Sequence, residues 1–234
     1  MRLHRFYTST PIESDNFEFN DREVIHQWKK VFRYNVGSQV IVFDGRGMDY
    51  LCMISALRPG GASLMVVNRK KTDFSNRKNI VLCVGLIKKD NFEMVVQKAV
   101  ELGVNHIVPV LCERSEKRKI NPERLDKIII ESTEQSGRGD LMTVSKSMTI
   151  QEVLDLGILP QEKVAFHPDG TSFKQYKENT KQVSFAAFVG PEGGFSDKEI
   201  ELFRKHNMQV LALGQTILRA ETASIVVASQ FLVD

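Results

Sequence analysis

Residues 80–111 read IVLCVGLIKKDNFEMVVQKAVELGVNHIVPVL. Ile80 to Ile87 is a nearly unbroken apolar run, the pattern of a strand buried on both faces. Asp90 and Glu93 then stand at capping-box spacing and predict a helix over Asn91 to Leu102. Gly103 follows where a helix commonly leaves through the left-handed region. A second apolar run, His106 to Leu111, begins three residues later. Strand, helix and strand in so short a stretch is a crossover unit, which joins parallel neighbours in a sheet.

The same grammar continues toward the carboxyl terminus. Asn121-Pro122 opens a helix, with proline at its first position, that runs to about Ser136 and stops at Gly137. Thr149 and Glu152 cap a short helix. Val164 to His167 and Ser184 to Val189 read as strands. Ser196 and Glu199 form another capping-box pair, starting a helix to His206. Gln209 to Leu213 is a strand, and Ala220 to Val233 an apolar helix. The expectation is an α/β fold, a parallel sheet with helices on both faces, over residues 73–234.

Toward the amino terminus the pattern changes. Val40 to Phe43 ends in the turn signal Asp44-Gly45-Arg46-Gly47. Tyr50 to Leu57 and Ser63 to Val67 are strand candidates separated by Pro59-Gly60-Gly61. One helix fits Asp21 to Phe32. Several short strands in about 70 residues predict a small β-barrel over residues 1–72. The polar, basic stretch Asn68 to Asn79 (NRKKTDFSNRKN) reads as the linker.

Composition supports a folded chain: 42% of the 234 residues are hydrophobic and 26% charged. No apolar run of about 18 residues could span a membrane, and Met1 to Thr10 lacks the apolar stretch of a secretory signal. Cys52, Cys83 and Cys112 are far apart and without zinc-ligand spacing, as expected of reduced thiols in a cytoplasmic protein. No metal is expected. The net charge of +3 is unevenly spread: residues 1–72 hold 11 Lys/Arg against 7 Asp/Glu, residues 73–234 hold 21 against 22. A basic first part on a neutral second part suits a binding module joined to a catalytic one.

Open parallel sheets bind ligands beyond the carboxyl ends of their strands. Two such ends stand out. Ser184 to Val189 runs into Gly190-Pro191-Glu192-Gly193-Gly194, whose glycines let backbone approach a ligand and allow positive φ. Gln209 to Leu213 runs into Gly214-Gln215-Thr216-Ile217-Leu218-Arg219-Ala220-Glu221, an apolar loop against which a flat apolar ring could lie. Neither GxxxxGK[ST] nor GxGxxG occurs. The ligand expected is therefore an adenosine without a polyphosphate.

GPEGGFS at 190–196 and LGQTILRAETAS at 213–224 resemble the two carboxyl-terminal motifs of SPOUT methyltransferases. LIKKDNFEMVVQKAVELGVNHIVPVLCERS at 86–115, ESTEQSGR at 131–138, HRFY at 4–7, His26, Arg33 and DGRG at 44–47 narrow the resemblance to the RsmE family. The similarity covers nearly the whole chain. It departs at Leu141-Met142, where the family often has a proline, and at the EKRK that follows ERS.

The resemblance implies a SPOUT-type sheet with a carboxyl-terminal deep trefoil knot and a PUA-like amino-terminal barrel that binds RNA. It implies methylation of N3 of a uridine in 16S ribosomal RNA, with S-adenosyl-L-methionine as donor. The partners implied are 16S rRNA or the small ribosomal subunit and a second copy in a homodimer. Gly190, Pro191, Glu192, Gly193, Leu213, Gly214, Ile217, Leu218, Arg219, Thr222 and Ala223 are the expected donor-binding residues. Glu134, a possible base, and Arg138 and Arg219, possible stabilisers of charge on the uridine, are the catalytic candidates. Arg2, Arg5, Arg33, Arg114, Ser115 and Arg118 are the RNA-binding candidates. Arg2, Arg5, Phe6 and Tyr7 interleave basic and aromatic side chains as single-strand readers do. His167 reads as a core or rim residue outside the site. A SPOUT enzyme acting on another RNA site, and an inactive rRNA-binding assembly factor, remain open readings of the residues.

Overall fold

The computed structural model describes residues 3–72, 78–115, 120–157 and 159–232. The chain forms two compact units, Met1–Asn76 with Ile130–Leu141, and Arg77–Ile129 with Met142–Asp234. The division is not the contiguous one at residue 72 read from the sequence, because a later segment returns to the amino-terminal unit.

That unit contains β1 (Arg5–Tyr7), β2 (Asn16–Phe19), α1 (Arg22–Lys30), β3 (Gln39–Phe43), β4 (Met48–Arg58) and β5 (Gly61–Lys71). The strands form one mixed sheet in the order β1-β3-β4-β5-β2. β1 runs parallel to β3, and the remaining pairs are antiparallel. Asp21 caps α1 by accepting from the backbone N–H groups of Glu23 and Val24 at 2.9 and 3.0 Å. The amphipathic helix turns Ile25 and Trp28 inward. Trp28 is fully buried, stacked on Phe19 and met edge-on by Phe6. Asn68 to Lys71, read as linker, instead continue β5, pairing with Met48 to Leu51. Asp73 to Arg77 of that stretch lie outside the described residues.

Arg5 binds the returning segment to this sheet. Its side chain is only 8% exposed and pairs with Asp49 at 2.7 Å. The same guanidinium donates to the carbonyls of Thr133 and Arg138 at 2.7 and 2.9 Å and lies over the Phe43 ring. Alongside, the Tyr7 N–H donates to Glu134 Oε1 at 2.9 Å, and the Gly47 N–H to the Gly139 carbonyl at 3.0 Å. Arg138 is buried and donates to Asp140 Oδ2 at 2.6 Å.

The second unit holds β6 (Asn79–Gly85), α2 (Lys89–Leu102) and β7 (His106–Leu111), then α3 (Pro122–Ser136), whose last turns belong to the first unit. There follow β8 (Thr143–Val144), β9 (Met148–Thr149), α4 (Ile150–Asp155), β10 (Glu162–Ser172), α5 (Phe173–Asn179), β11 (Ser184–Val189), α6 (Asp197–Lys205), β12 (Gln209–Ala212) and α7 (Ala220–Leu232). The sheet order is β12-β10-β11-β6-β7-β8, with β9 also on β7, and every pairing is parallel. The mixed α/β class with a parallel sheet is thus as expected. Its central strands are buried on both faces, which explains the unbroken apolar runs.

The predicted capping boxes at Thr149/Glu152 and Ser196/Glu199 are both formed, and Gly103 closes α2 at φ 95°. The box predicted at Asp90 and Glu93 is not. α2 begins earlier, after Lys88, without a side-chain cap. Asp90 therefore lies inside the helix and cannot cap it, and Glu93 pairs with Arg124 at 3.1 Å and Lys89 at 3.7 Å. The three cysteines are free and buried, and burial pushes the Cys52 and Cys112 thiols up to about 12. Among the described residues no helix is long and apolar enough to cross a membrane.

Candidate donor-binding cleft

At the carboxyl ends of the second unit's central strands lies a cleft of about 810 Å³, within the usual size of small-molecule sites. Four stretches build it: the loop after β11, the loop after β12, residues 166–168 of β10, and Lys88 with Asn91 around the start of α2. Arg114 adds a side chain from beyond β7.

The loop after β11 is held from three sides. Gly85, at the end of β6, lies so close that a Cβ there would come within 2.5 Å of the Pro191 nitrogen. Arg114 donates to the carbonyl of Gly193 at 3.0 Å. The Glu192 carboxylate accepts from the Lys88 N–H at 3.1 Å, tying this loop to the one leaving β6. Gly194 makes the turn, with φ of 67° and its N–H donating to the Pro191 carbonyl at 2.8 Å. Positive φ is therefore needed at Gly194 and not at Gly190 or Gly193. At Gly193 the limit is space, since a Cβ would meet Arg114 Cβ at 3.0 Å.

β10 reaches the cleft through an irregularity. Its pairing with β12 is in register to Phe166 and resumes at Thr171, and the interruption delivers His167 and Pro168 to the lining. This corrects the reading of His167 as outside the site. Pro168-Asp169-Gly170 marks the shift, since proline and glycine inside a strand signal a bulge, and a Cβ at Gly170 would come within 2.4 Å of the Leu211 carbonyl carbon.

Of the expected donor residues, Gly190, Pro191, Glu192, Gly193, Leu213, Gly214, Ile217, Leu218, Arg219 and Ala223 all line this one cleft. Thr222 is exposed and does not. Ile217 is 86% exposed, an apolar side chain open to whatever enters. Sequence reasoning missed Lys88, Asn91, Phe166 and Glu221 as lining residues. Glu221 had a signal, a lone acid ahead of an apolar helix.

The catalytic candidates separate. Arg219 is exposed on the cleft wall. Arg138 and Glu134 do not line it; both belong to the network around Arg5 in the amino-terminal unit. The RNA-binding candidates also divide. Arg33 is exposed, in a left-handed turn at φ 55°. Ser115 closes a turn, its Oγ accepting from the Cys112 N–H at 3.0 Å. Arg5 and Phe6 are not an open stacking surface as expected, because β1 joins the sheet and buries them. Arg2, Lys117, Arg118 and Lys119 lie outside the described residues.

Burial raises the Glu134 carboxyl from 4.5 to about 7, against the opposing pull of the Tyr7 N–H. Between those values the folded chain keeps a proton that the unfolded chain has lost. Stability from this group is therefore full below pH 4.5 and falls as the pH rises through about 7. Glu134→Gln keeps an acceptor for Tyr7 and carries no charge. After allowance for solvent screening, it should melt about 2–4 °C above the parent at pH 8 and level with it near pH 4.5. Differential scanning fluorimetry at both values checks this, and an equal offset at the two would refute it.

Residues 75–232 match the model of the RNA methyltransferase domain family. The chain belongs to that family. It is 29% identical to ribosomal RNA small subunit methyltransferase E of Rickettsia conorii, over 98% of this chain and 95% of that protein. The Bacillus subtilis protein of the same name is 27% identical, over 91% and 88%. These relatives carry the name of the RsmE family that the motifs resemble. The crystal structure of the Neisseria gonorrhoeae protein of that name, bound to S-adenosylmethionine, matches with a TM-score of 0.84 and 27% identity over 98% of this chain and 97% of that one. A Legionella pneumophila protein in complex with S-adenosylmethionine also gives 0.84, at 28% identity over 99% and 97%.

Proposed function

We propose that this RNA methyltransferase transfers a methyl group from S-adenosyl-L-methionine to N3 of a uridine in 16S rRNA of the small ribosomal subunit. The observation that carries the reading is the convergence of both glycine-containing loops on one cleft at the strand ends, in a chain whose relatives of like fold are named for this rRNA and, in two structures, hold this donor.

The residues present fit the donor. Gly85 admits the backbone of residues 190–191 at a distance closed to any side chain. Ile217 offers an open apolar surface for an adenine ring. Bound S-adenosylmethionine would supply a methyl group on a positively charged sulfur. The loops after β11 and β12 bind and orient it through backbone groups. Loss of the N3 proton to a base or to water would leave negative charge on the ring carbonyl oxygens, to which Arg219 would present a permanent cation; the methyl group then taken by N3 neutralises that charge as the donor leaves as a neutral thioether. Arg138 and Glu134 stay in the proposal on the family motif, and Arg33, Arg114 and Arg118 as contacts to RNA phosphate.

The RsmE resemblance adds a homodimer, a PUA-like amino-terminal RNA-binding barrel, a trefoil knot and a cytoplasmic site of action. The order β12-β10-β11-β6, with α7 returning to pack on α2 and β6, supports the knot. The basic balance of residues 1–72 supports the binding role.

The test is a methylation assay with purified full-length protein on small subunits, free 16S rRNA and tRNA, followed by nucleoside mapping. N3-methyluridine at one position of 16S rRNA is the expected product. Arg219→Ala should slow transfer at saturating donor on the order of a hundredfold. Methylation of tRNA alone, or of another atom, would displace the substrate reading. Binding of rRNA without methylation would favour an assembly factor.

A further inference from the structure

We infer that Glu221 pairs with a positively charged group of the methyl donor, an assignment that rests on the donor reading of the cleft. Glu221 lies in the first turn of α7, lines the cleft and is only 7% exposed. Its Oε2 is shut off from solvent, and no hydrogen-bond donor reaches it among the described residues.

An acid in a first helical turn is favoured by the helix dipole. That accounts for the sign of the charge, but not for a carboxylate oxygen held from water without a donor. Burying an ionised carboxylate unpaired is costly, and such groups are found with a cation or a hydrogen-bond partner. The protein's own cations in the lining do not fill the role. The Arg114 guanidinium is turned to the carbonyls of Gly193 and Phe195, the His167 ring lies against Asp169, and Lys88 and Arg219 are exposed. The partner is then supplied by what enters the cleft. S-Adenosylmethionine carries two cations, an ammonium and a sulfonium, at the end away from its adenine. Glu221 therefore reads that charged end while the apolar and backbone lining reads the adenosine.

Calorimetry on the full-length protein separates the groups. Three ligands are titrated into the parent and Glu221→Gln: S-adenosylmethionine with both cations, S-adenosylhomocysteine with the ammonium alone, and 5′-methylthioadenosine with neither. In Glu221→Gln the affinity for S-adenosylmethionine should fall about tenfold or more, while that for methylthioadenosine stays within about twofold. A parallel loss for S-adenosylhomocysteine identifies the ammonium as the partner; an unchanged value identifies the sulfonium. Equal losses for all three ligands, or an unchanged affinity for S-adenosylmethionine, overturn the inference. Should Glu221→Gln not fold by circular dichroism, Glu221→Asp, which withdraws the carboxylate by one methylene, is read by the same ratio. A parent that binds none of the three ligands would instead overturn the donor reading of the cleft.

Discussion

Gly85→Ala abolishes donor binding while leaving most of the secondary structure in place. A single methyl group at this position would sit 2.5 Å from the Pro191 nitrogen and 2.6 Å from its Cδ. Neither atom belongs to a flexible side chain. The nitrogen is backbone, and the Cδ is locked in the proline ring. Gly85 is also held, through the pairing of Val84 with Val189, at the end of two adjacent central strands. The clash is relieved only by moving residues 190–191, and with them the loop that Arg114 and Glu192 hold in place. Overpacking of this kind typically costs about 1–3 kcal/mol, which the buried sheet beneath can absorb. The cleft cannot, because its wall is the part displaced. Calorimetry should show S-adenosylmethionine affinity reduced on the order of a hundredfold or more, with a near-parental far-ultraviolet spectrum. Binding within threefold of the parent would mean that the loop shifts freely and that its position does not shape the site.

Arg5→Ala should be the most destabilising single change among the arginines considered. It removes a guanidinium that is nearly buried and engages Asp49 and two carbonyls of the segment 130–141. Asp49, itself 14% exposed, is left as a largely buried charge without its partner. Breaking a buried pair by removing one member costs about 3–5 kcal/mol, or roughly 10 °C or more in melting temperature for a chain of this size. Arg5→Lys should recover little, since one ammonium cannot span a carboxylate and two carbonyls in separate directions. The competing expectation, that Arg5 reads RNA, predicts an unchanged melting temperature and weaker RNA binding. Thermal melting of the free protein decides between them.

The main chain of the second unit was legible because its elements obey local rules. Buried parallel strands must be apolar on both faces, so Ile80 to Ile87 and Ser184 to Val189 announce themselves. Caps formed by residues three apart, as at Thr149/Glu152 and Ser196/Glu199, involve no distant partner and were read correctly. Elsewhere the local reading failed. α2 starts at Lys89 and takes in Asp90, the expected cap, and the basic stretch after Asn68 was recruited into β5 by pairing with β4.

The two loops that line the cleft were readable for a related reason. Three glycines and a proline at one strand end, and exposed apolar residues at another, conflict with an ordinary turn, and both loops sit at the carboxyl ends where an open parallel sheet presents its crevice. Sequence alone therefore determined the α/β class and most of the residues at two strand ends that line one cleft. It could not decide which polar side chains face that crevice. Nothing in the local sequence separated Arg5, Glu134 and Arg138 from Arg219 and Glu221. Tertiary structure alone separated them: the return of residues 130–141 to the amino-terminal unit spends the first three on carbonyls, an amide and a neighbouring acid, whereas α7 starts at the cleft and leaves Glu221 Oε2 buried there with no hydrogen-bond donor among the described residues. A charge's role depends on the groups that desolvate and satisfy it, and here those groups lie up to 133 residues away along the chain.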